Sequence, residues 1–202
     1  MKRLFSFGLI LVLGSSSLVF AQEREERRRG FYMDVGLGFG GASYFNGDTK
    51  AITDHFKETT DTRVTADFQF LTIGWALMQD LYLVGTISGI GDIYVDTQNN
   101  MIPMIAIETY GIGARYYPLP SKKYLQLGLD LGLSQMSILY DQNNQYITEN
   151  SDVGFSGKLS AACDFDTTMT GFTALLGGAL TMNIIENDTS LSYALFFKVA
   201  FK

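Results

Sequence analysis

The sequence predicts an all-β chain, an eight-stranded antiparallel transmembrane β-barrel, and three observations carry the prediction. The first is the end of the chain, residues 191–202 (LSYALFFKVAFK). Leu191, Tyr193, Leu195, Phe197, Val199 and Phe201 share one face, and Ser192, Ala194, Phe196, Lys198, Ala200 and Lys202 share the other. A period of two is the strand signature. An edge strand with such an apolar face bared to water would aggregate. The face belongs against lipid, in a closed barrel that leaves no unpaired backbone in hydrocarbon. Second, from Gly30 onward, segments of about 10–15 residues are separated by turn-rich stretches, the spacing of membrane strands. Third, no run of about eighteen apolar residues follows Gly30, so no transmembrane helix competes with the strands.

Composition agrees. Of 202 residues, 47% are hydrophobic and 18% charged, which excludes disorder and suits lipid contact. The 21 Gly against 3 Pro argue against long helices. Net charge is −6, and no basic patch follows the first thirty residues, so nucleic acid is not an expected partner. The one cysteine, Cys163, gives no internal disulfide or Cys-rich metal site, and the one histidine, His55, leaves little for histidine-based chemistry. Neither a metal site nor a cofactor is expected.

Taken in order, the chain opens with Lys2 and Arg3, an apolar run over 4–13, and Val19-Phe20-Ala21. This reads as a secretory signal peptide, residues 1–21, cleaved after Ala21. The run is too short to span a bilayer, and no cysteine follows the cleavage point to take a lipid. Residues 22–29 (QEREERRR) form a mixed-charge periplasmic tail. The barrel occupies 30–202.

The first strand, 31–40, sets Phe31, Met33, Val35, Leu37 and Phe39 against Tyr32, Asp34, Gly36, Gly38 and Gly40. A long polar loop is expected over 41–63. The second strand, 64–77, changes phase: Phe68 and Phe70 oppose Asp67 and Gln69, but Leu71, Ile73 and Trp75 face outward lower down. A bulge near Phe70 reconciles the two halves. A tight turn at 78–80 leads to the third strand, 81–95, whose phase the pattern leaves open. After a loop at 96–103, the fourth strand ends at Tyr117, with Gly111, Gly113, Arg115 and Tyr117 inward. A short turn covers 118–123. The fifth strand alternates Leu125, Leu127, Leu129, Leu131 and Leu133 with Gln126, Gly128, Asp130, Gly132 and Ser134. A polar loop is expected over 140–152. The sixth strand puts Lys158 and Asp164 inward and Leu159 and Cys163 outward, and a turn at 166–171 follows. The seventh has Leu176, Leu180 and Met182 outward, and a short loop at 186–190 precedes the last strand. Long and short connections alternate, as in bacterial outer-membrane barrels, so the long ones belong outside the cell. Aromatics gather near both ends of the strands: Tyr32, Trp75, Tyr82, Tyr117 and Phe172 at one, Phe39, Tyr44, Tyr94 and Phe155 at the other. Such belts mark the two membrane–water interfaces.

These eight alternating segments, the signal peptide, YGIGARYYP at 110–118 and the aromatic-rich end resemble the small eight-stranded outer-membrane barrels. Those include the OmpW, OmpX and opacity-type families and the OmpA membrane domain. The resemblance covers 30–202. It implies a location in the cell outer membrane, with lipid and the barrel-assembly machinery as partners. It also implies a terminal aromatic read as an assembly signal, here Phe201, although Lys202 follows it. OmpW-like members are expected to pass small hydrophobic solutes, and OmpX- and opacity-like members to mediate adhesion.

Other motifs carry less. Gly36, Gly38 and Gly41 match a dinucleotide fingerprint in letters, but no helix follows at once, and inward glycines explain them. Asn187-Asp188-Thr189 matches a glycosylation sequon of the kind that arises by chance. His55 has acidic neighbours in Asp54 and Glu58, and Ser43 and Ser151 are conceivable nucleophiles, yet nothing sets them apart. Cys163 reads as a small lipid-facing residue.

The polar face holds a network of lumen charges: Asp34, Arg115, Asp130, Lys158, Asp164 and Lys198. Asp130 with Lys158 and Asp34 with Lys198 are the expected pairs. An eight-stranded barrel is just wide enough for side chains to fill, and an unpaired buried ion costs several kcal/mol. Paired charges, a narrow lumen and no steady ion pore are therefore expected. The functional expectation is a non-enzymatic barrel whose outer loops contact a surface ligand. The alternative is a conduit for small hydrophobic solutes.

Overall fold

A computed structural model describes residues 30–60, 62–78, 80–95, 103–118, 125–142, 145–166 and 171–202. Eight strands form a closed barrel in sequence order: β1 (Phe31–Tyr44), β2 (Thr62–Met78), β3 (Leu81–Val95), β4 (Met104–Tyr116), β5 (Leu125–Gln142), β6 (Gln145–Asp166), β7 (Phe172–Ile185) and β8 (Asp188–Phe201). One helix, α1 (Gly47–Thr59), joins β1 to β2. Every pairing is antiparallel, and β8 returns to β1 with Val199 opposite Val35 and Phe197 opposite Leu37. Closure leaves the sheet without an open edge around its girth, which hydrocarbon demands. Among the described residues, no helix is long and apolar enough to cross a membrane.

The alternation of the sequence becomes the two sides of the wall. Leu129, Leu131, Leu133, Leu159, Leu176 and Leu195 stand exposed on the outside. Their neighbours Asp130, Ser134, Lys158, Leu175 and Ala194 are buried within. The bulge in β2 falls between Gln69 and Leu71 in its pairing with β3, and it returns Thr72 to the interior. At the bulge Phe68 and Phe70 stack nearly parallel, centroids 5.7 Å apart. Their rings cover Gly91 and Gly89 of β3, so aromatic surface replaces the missing side chains. β3 takes the phase that the pattern left open: Tyr82, Val84, Thr86, Ser88, Ile90 and Asp92 point inward.

Two expectations need correction. The polar loop at 41–63 is mostly ordered structure, since β1 runs to Tyr44, β2 begins at Thr62, and α1 lies between. The polar loop at 140–152 is a β-hairpin: β5 and β6 continue to Gln142 and Gln145, which face each other. The aromatic belts are also thinner than expected. Tyr32, Tyr44, Tyr82, Tyr94 and Tyr117 are buried inside the barrel. The expected signal peptide and tail, the loop at 96–102, and the turn segments 119–124 and 167–170 lie outside the described residues.

One prediction follows from the unequal connections. Protease added to intact cells should cut in the stretch 137–152 and leave the segment 118–123 uncut. Cleavage at 118–123 instead would reverse the topology.

Candidate functional site

The lumen is built in three levels. The floor, near the start of β1, is aromatic and polar. Tyr32 donates to Asp34 Oδ2 (2.6 Å), and Thr72 donates to Asp34 Oδ1 (2.9 Å). The Gln126 amide donates to the hydroxyls of Tyr32 (3.0 Å) and Tyr117 (2.7 Å). Tyr82 packs against both tyrosine rings. Thr173 donates to Asp164 Oδ1 (2.5 Å), and the Lys202 ammonium pairs with Asp164.

Above the floor lie the ion pairs. Arg115 grips Asp130 with both terminal nitrogens, at 2.5 and 3.0 Å. This fork geometry is the strongest form of the contact. Lys158 reaches across the lumen from β6 to β2 and bonds both oxygens of Asp67, at 2.9 and 2.8 Å. Lys198 lies 3.9 Å from Asp34 and 4.6 Å from the Phe196 ring centroid. Asp130 and Lys158 are cross-strand partners, as the spacing implied. Each nevertheless takes a different counterion: Arg115 of the neighbouring β4 holds Asp130 in a fork, and Lys158 crosses to Asp67. Sequence reasoning had placed Asp67 on the polar face but left it out of the network. It had also missed a fifth pair near the opposite end: Arg63 bonds both oxygens of Asp92 (2.9 and 2.7 Å), which also accepts from Thr65 and Tyr94. Among the described residues, five lumen acids, Asp34, Asp67, Asp92, Asp130 and Asp164, thus meet five bases, Lys198, Lys158, Arg63, Arg115 and Lys202.

The third level is apolar and is closed by α1. Ile90, Ile105, Ile107, Met136, Ile138 and Ile185 converge inside the wall. Phe56 of α1 enters this cluster and meets Tyr94 at 5.4 Å between centroids. Thr49 and Thr53, one turn apart from each other on the same helix face, are also fully buried. Between the apolar level and the ion pairs, the inward positions are small and hydroxylated: Ser88, Thr109, Ser134, Ser156, Thr181 and Ser192. Ser134 Oγ, Gln69 Oε1 and Asn183 Oδ1 have no protein partner there. Buried polar atoms of this kind are commonly satisfied by ordered water.

α1 is held from outside itself. Its Asn46 cap makes no bond to the helix. Asn46 Oδ1 instead accepts from the Thr189 amide (2.7 Å), and Asp188 Oδ1 accepts from the Thr49 amide (3.1 Å). Gly47 sits at φ +75°, where a side chain would be strained and would collide with Asp188. On the solvent face Lys50 and Lys57 both bond Asp54. They hold its carboxyl below the usual range. Asp188→Ala should loosen α1 by about 1 kcal/mol, the usual worth of a helix cap. Hydrogen exchange should quicken at the amides of Thr49 to Thr53 while global unfolding of the barrel stays unchanged.

His55 is exposed on α1, with Phe56 as its ring neighbour, and neither Ser43 nor Ser151 is joined to it. The Ser151 hydroxyl instead accepts from the Met136 amide (2.9 Å) and donates to the Asp152 carbonyl (2.8 Å). Cys163 is exposed on the outer wall. Phe201 packs its ring between Phe31 and Phe172.

No family profile matches the sequence, and no curated protein does. Solved structures do match. The attachment invasion locus protein Ail of Yersinia pestis, in complex with the heparin analogue sucrose octasulfate, superposes with a TM-score of 0.55 at 8% identity, over 86% of this chain and 99% of that one. Neisserial surface protein A matches with a TM-score of 0.52 at 13% identity, over 85% of this chain and 96% of that one. This chain is a small eight-stranded outer-membrane β-barrel. The likeness is one of fold. That fold places the chain in the bacterial outer membrane, with an apolar girdle on the outside and the ion pairs buried in the lumen.

Proposed function

We propose that this barrel is a non-enzymatic surface protein that contacts a partner through its outer rim, chiefly through the β5–β6 hairpin. The observation that carries this reading is the filled lumen. Ion pairs cross it, a tyrosine floor underlies it, and α1 caps it. Such an interior offers stability rather than passage, which leaves the rim as the surface free to act.

The hairpin supports the reading in its own right. β6 pairs with β7 only from Phe155 onward, while it pairs with β5 up to Gln145. The stretch of β6 before Phe155 therefore stands as a sheet edge above the wall. At its base the Asp152 amide donates to Glu186 Oε1 (2.7 Å). An exposed edge is a template for an added strand from another chain. No Lys or Arg occurs from Ser137 to Gly157, and Asp141, Glu149 and Asp152 are acidic. A neutral or basic protein segment fits this surface better than a polyanion. Ail bears attachment in its name, which supports a contact role, but its heparin analogue has no basic counterpart on this hairpin.

A second reading, a conduit for small hydrophobic solutes, is favoured by the isoleucine-lined upper lumen. It requires α1 to leave and the ion pairs to part. The contact reading is tested on cells. Cells displaying the wild type, and cells displaying a barrel with residues 139–148 replaced by Gly-Ser, are compared for attachment to protein-coated surfaces. Loss of attachment with the barrel still folded is the expected result. Attachment equal in both contradicts the contact role of the hairpin.

A further inference from the structure

The short turn between β7 and β8 touches both the hairpin and α1. β6 leaves β7 above the Phe155–Ile184 pair, and the β5–β6 hairpin stands beyond that point. A bulge marks its base. Between the Gln135–Val153 and Ser137–Asn150 pairs, β6 has two residues, Ser151 and Asp152, against Met136 alone. A bulge bends its strand and interrupts the ladder, so the hairpin has a hinge there. The Asp152 amide donates across to Glu186 Oε1 (2.7 Å). Glu186 sits at φ +52°, a left-handed backbone that a glutamate keeps only when its surroundings hold it. Two residues on, Asp188 Oδ1 accepts from the Thr49 amide (3.1 Å). Thr189 then grips the entry to α1 twice: its amide donates to Asn46 Oδ1 (2.7 Å), and its carbonyl accepts from the Phe45 amide (2.9 Å). Ile185, just before the turn, packs in the apolar cluster that receives Phe56 of α1. Residues 185–189 thus hold the base of the hairpin on one side and the root of α1 on the other.

We propose that this turn couples the hairpin to the helical cap: a protein strand that pairs with β6 down to Asp152 displaces Glu186 and loosens α1 from the mouth of the lumen. The trigger rests on the contact role of the hairpin, whereas the coupling is a property of the barrel alone. Asp152 has one backbone N–H to give. The Glu186 carboxylate and a backbone carbonyl of an added strand compete for it. That competition is the differential contact a two-state element requires. Without Asp152, nothing holds Glu186 in its left-handed backbone, and the turn relaxes. Asp188 and Thr189 lie on the same turn and move with it. The coupling is reciprocal, so whatever frees α1 must weaken the Asp152 contact by the same factor.

The test is amide hydrogen exchange, read by NMR on the full refolded barrel in detergent micelles, with substitutions standing in for the displaced contact. Glu186→Gly removes the acceptor and suits a positive φ, so folding is not put at risk. Glu186→Asn also tolerates this backbone, but its side chain is a methylene too short to reach Asp152. Both should quicken exchange at the amides of Thr49 to Thr53 by about fivefold or more, the low end of measured couplings. Exchange in the wall, at Leu129 to Leu133, should not change. In the reverse direction, Asp188→Ala should quicken exchange at the Asp152 amide by a similar factor. Unchanged exchange in α1 of Glu186→Gly overturns the proposal. Quickening in Glu186→Gly but not in Glu186→Asn does the same, because it marks a looser turn rather than a lost contact. So does quickening that spreads through the wall, or an Asp152 amide unmoved by Asp188→Ala. Attachment is measured on cells and coupling on the pure barrel, so failure of the contact role and failure of the coupling are separate results.

Discussion

Replacing Arg115 by Ala should destabilise the barrel by about 3–5 kcal/mol, the usual cost of stranding one member of a buried ion pair. Arg115 is fully buried and holds Asp130 with two hydrogen bonds. Its removal leaves a carboxylate in a narrow lumen whose nearest other bases are occupied. Lys158 is bonded to both oxygens of Asp67, and Lys198 stands beside Asp34. The effect should be read from urea unfolding of the refolded protein, with the single tryptophan, Trp75, as the reporter. The double change Arg115→Met with Asp130→Leu should recover most of the loss, since it removes both charges together. Equal losses in the single and double variants would mean that Arg115 acts through packing rather than charge.

Leu129→Arg should cost about 2–4 kcal/mol, the scale for a cation near the bilayer midplane. Leu129 is exposed on the outside of the barrel, opposite Ala114 on one strand and Leu159 on the other. Lipid is its only solvent. Arginine at Ser137, on the same strand but beyond the girdle, should cost no more than about 1 kcal/mol. The contrast isolates depth in the membrane from the chemistry of the substitution. Equal costs at both positions would show that the apolar girdle has been drawn at the wrong height.

The wall was legible because each strand repeats one rule. Leucines at 125, 127, 129, 131 and 133 determine facing and register at once, and a slip of one residue would turn every one of them into the lumen. The bulge at Phe70 was legible as a break in the same rule. The partners within the lumen were less so. Sequence reasoning paired Asp130 with its cross-strand neighbour Lys158, yet a long side chain can cross a narrow barrel, and Lys158 does so to reach Asp67. Pairing through the interior depends on reach and fork geometry, which strand spacing does not encode. α1 was hidden by composition. Its only large apolar side chains are Ile52 and Phe56, four residues apart, with Thr49 and Thr53 on the same face. That spacing, with Asp54 between Lys50 and Lys57, was the available signal. The hairpin was hidden for a related reason. Its residues are polar because both faces leave the membrane, so the lipid alternation stops while the strand pairing continues.

Single-channel recording in planar lipid bilayers tests the central claim, a lumen sealed by paired charges and a helical cap. The purified wild type should show no steady conductance. A reproducible, long-lived channel that persists unchanged in Lys158→Ala would contradict the account and leave the conduit as the function of the barrel.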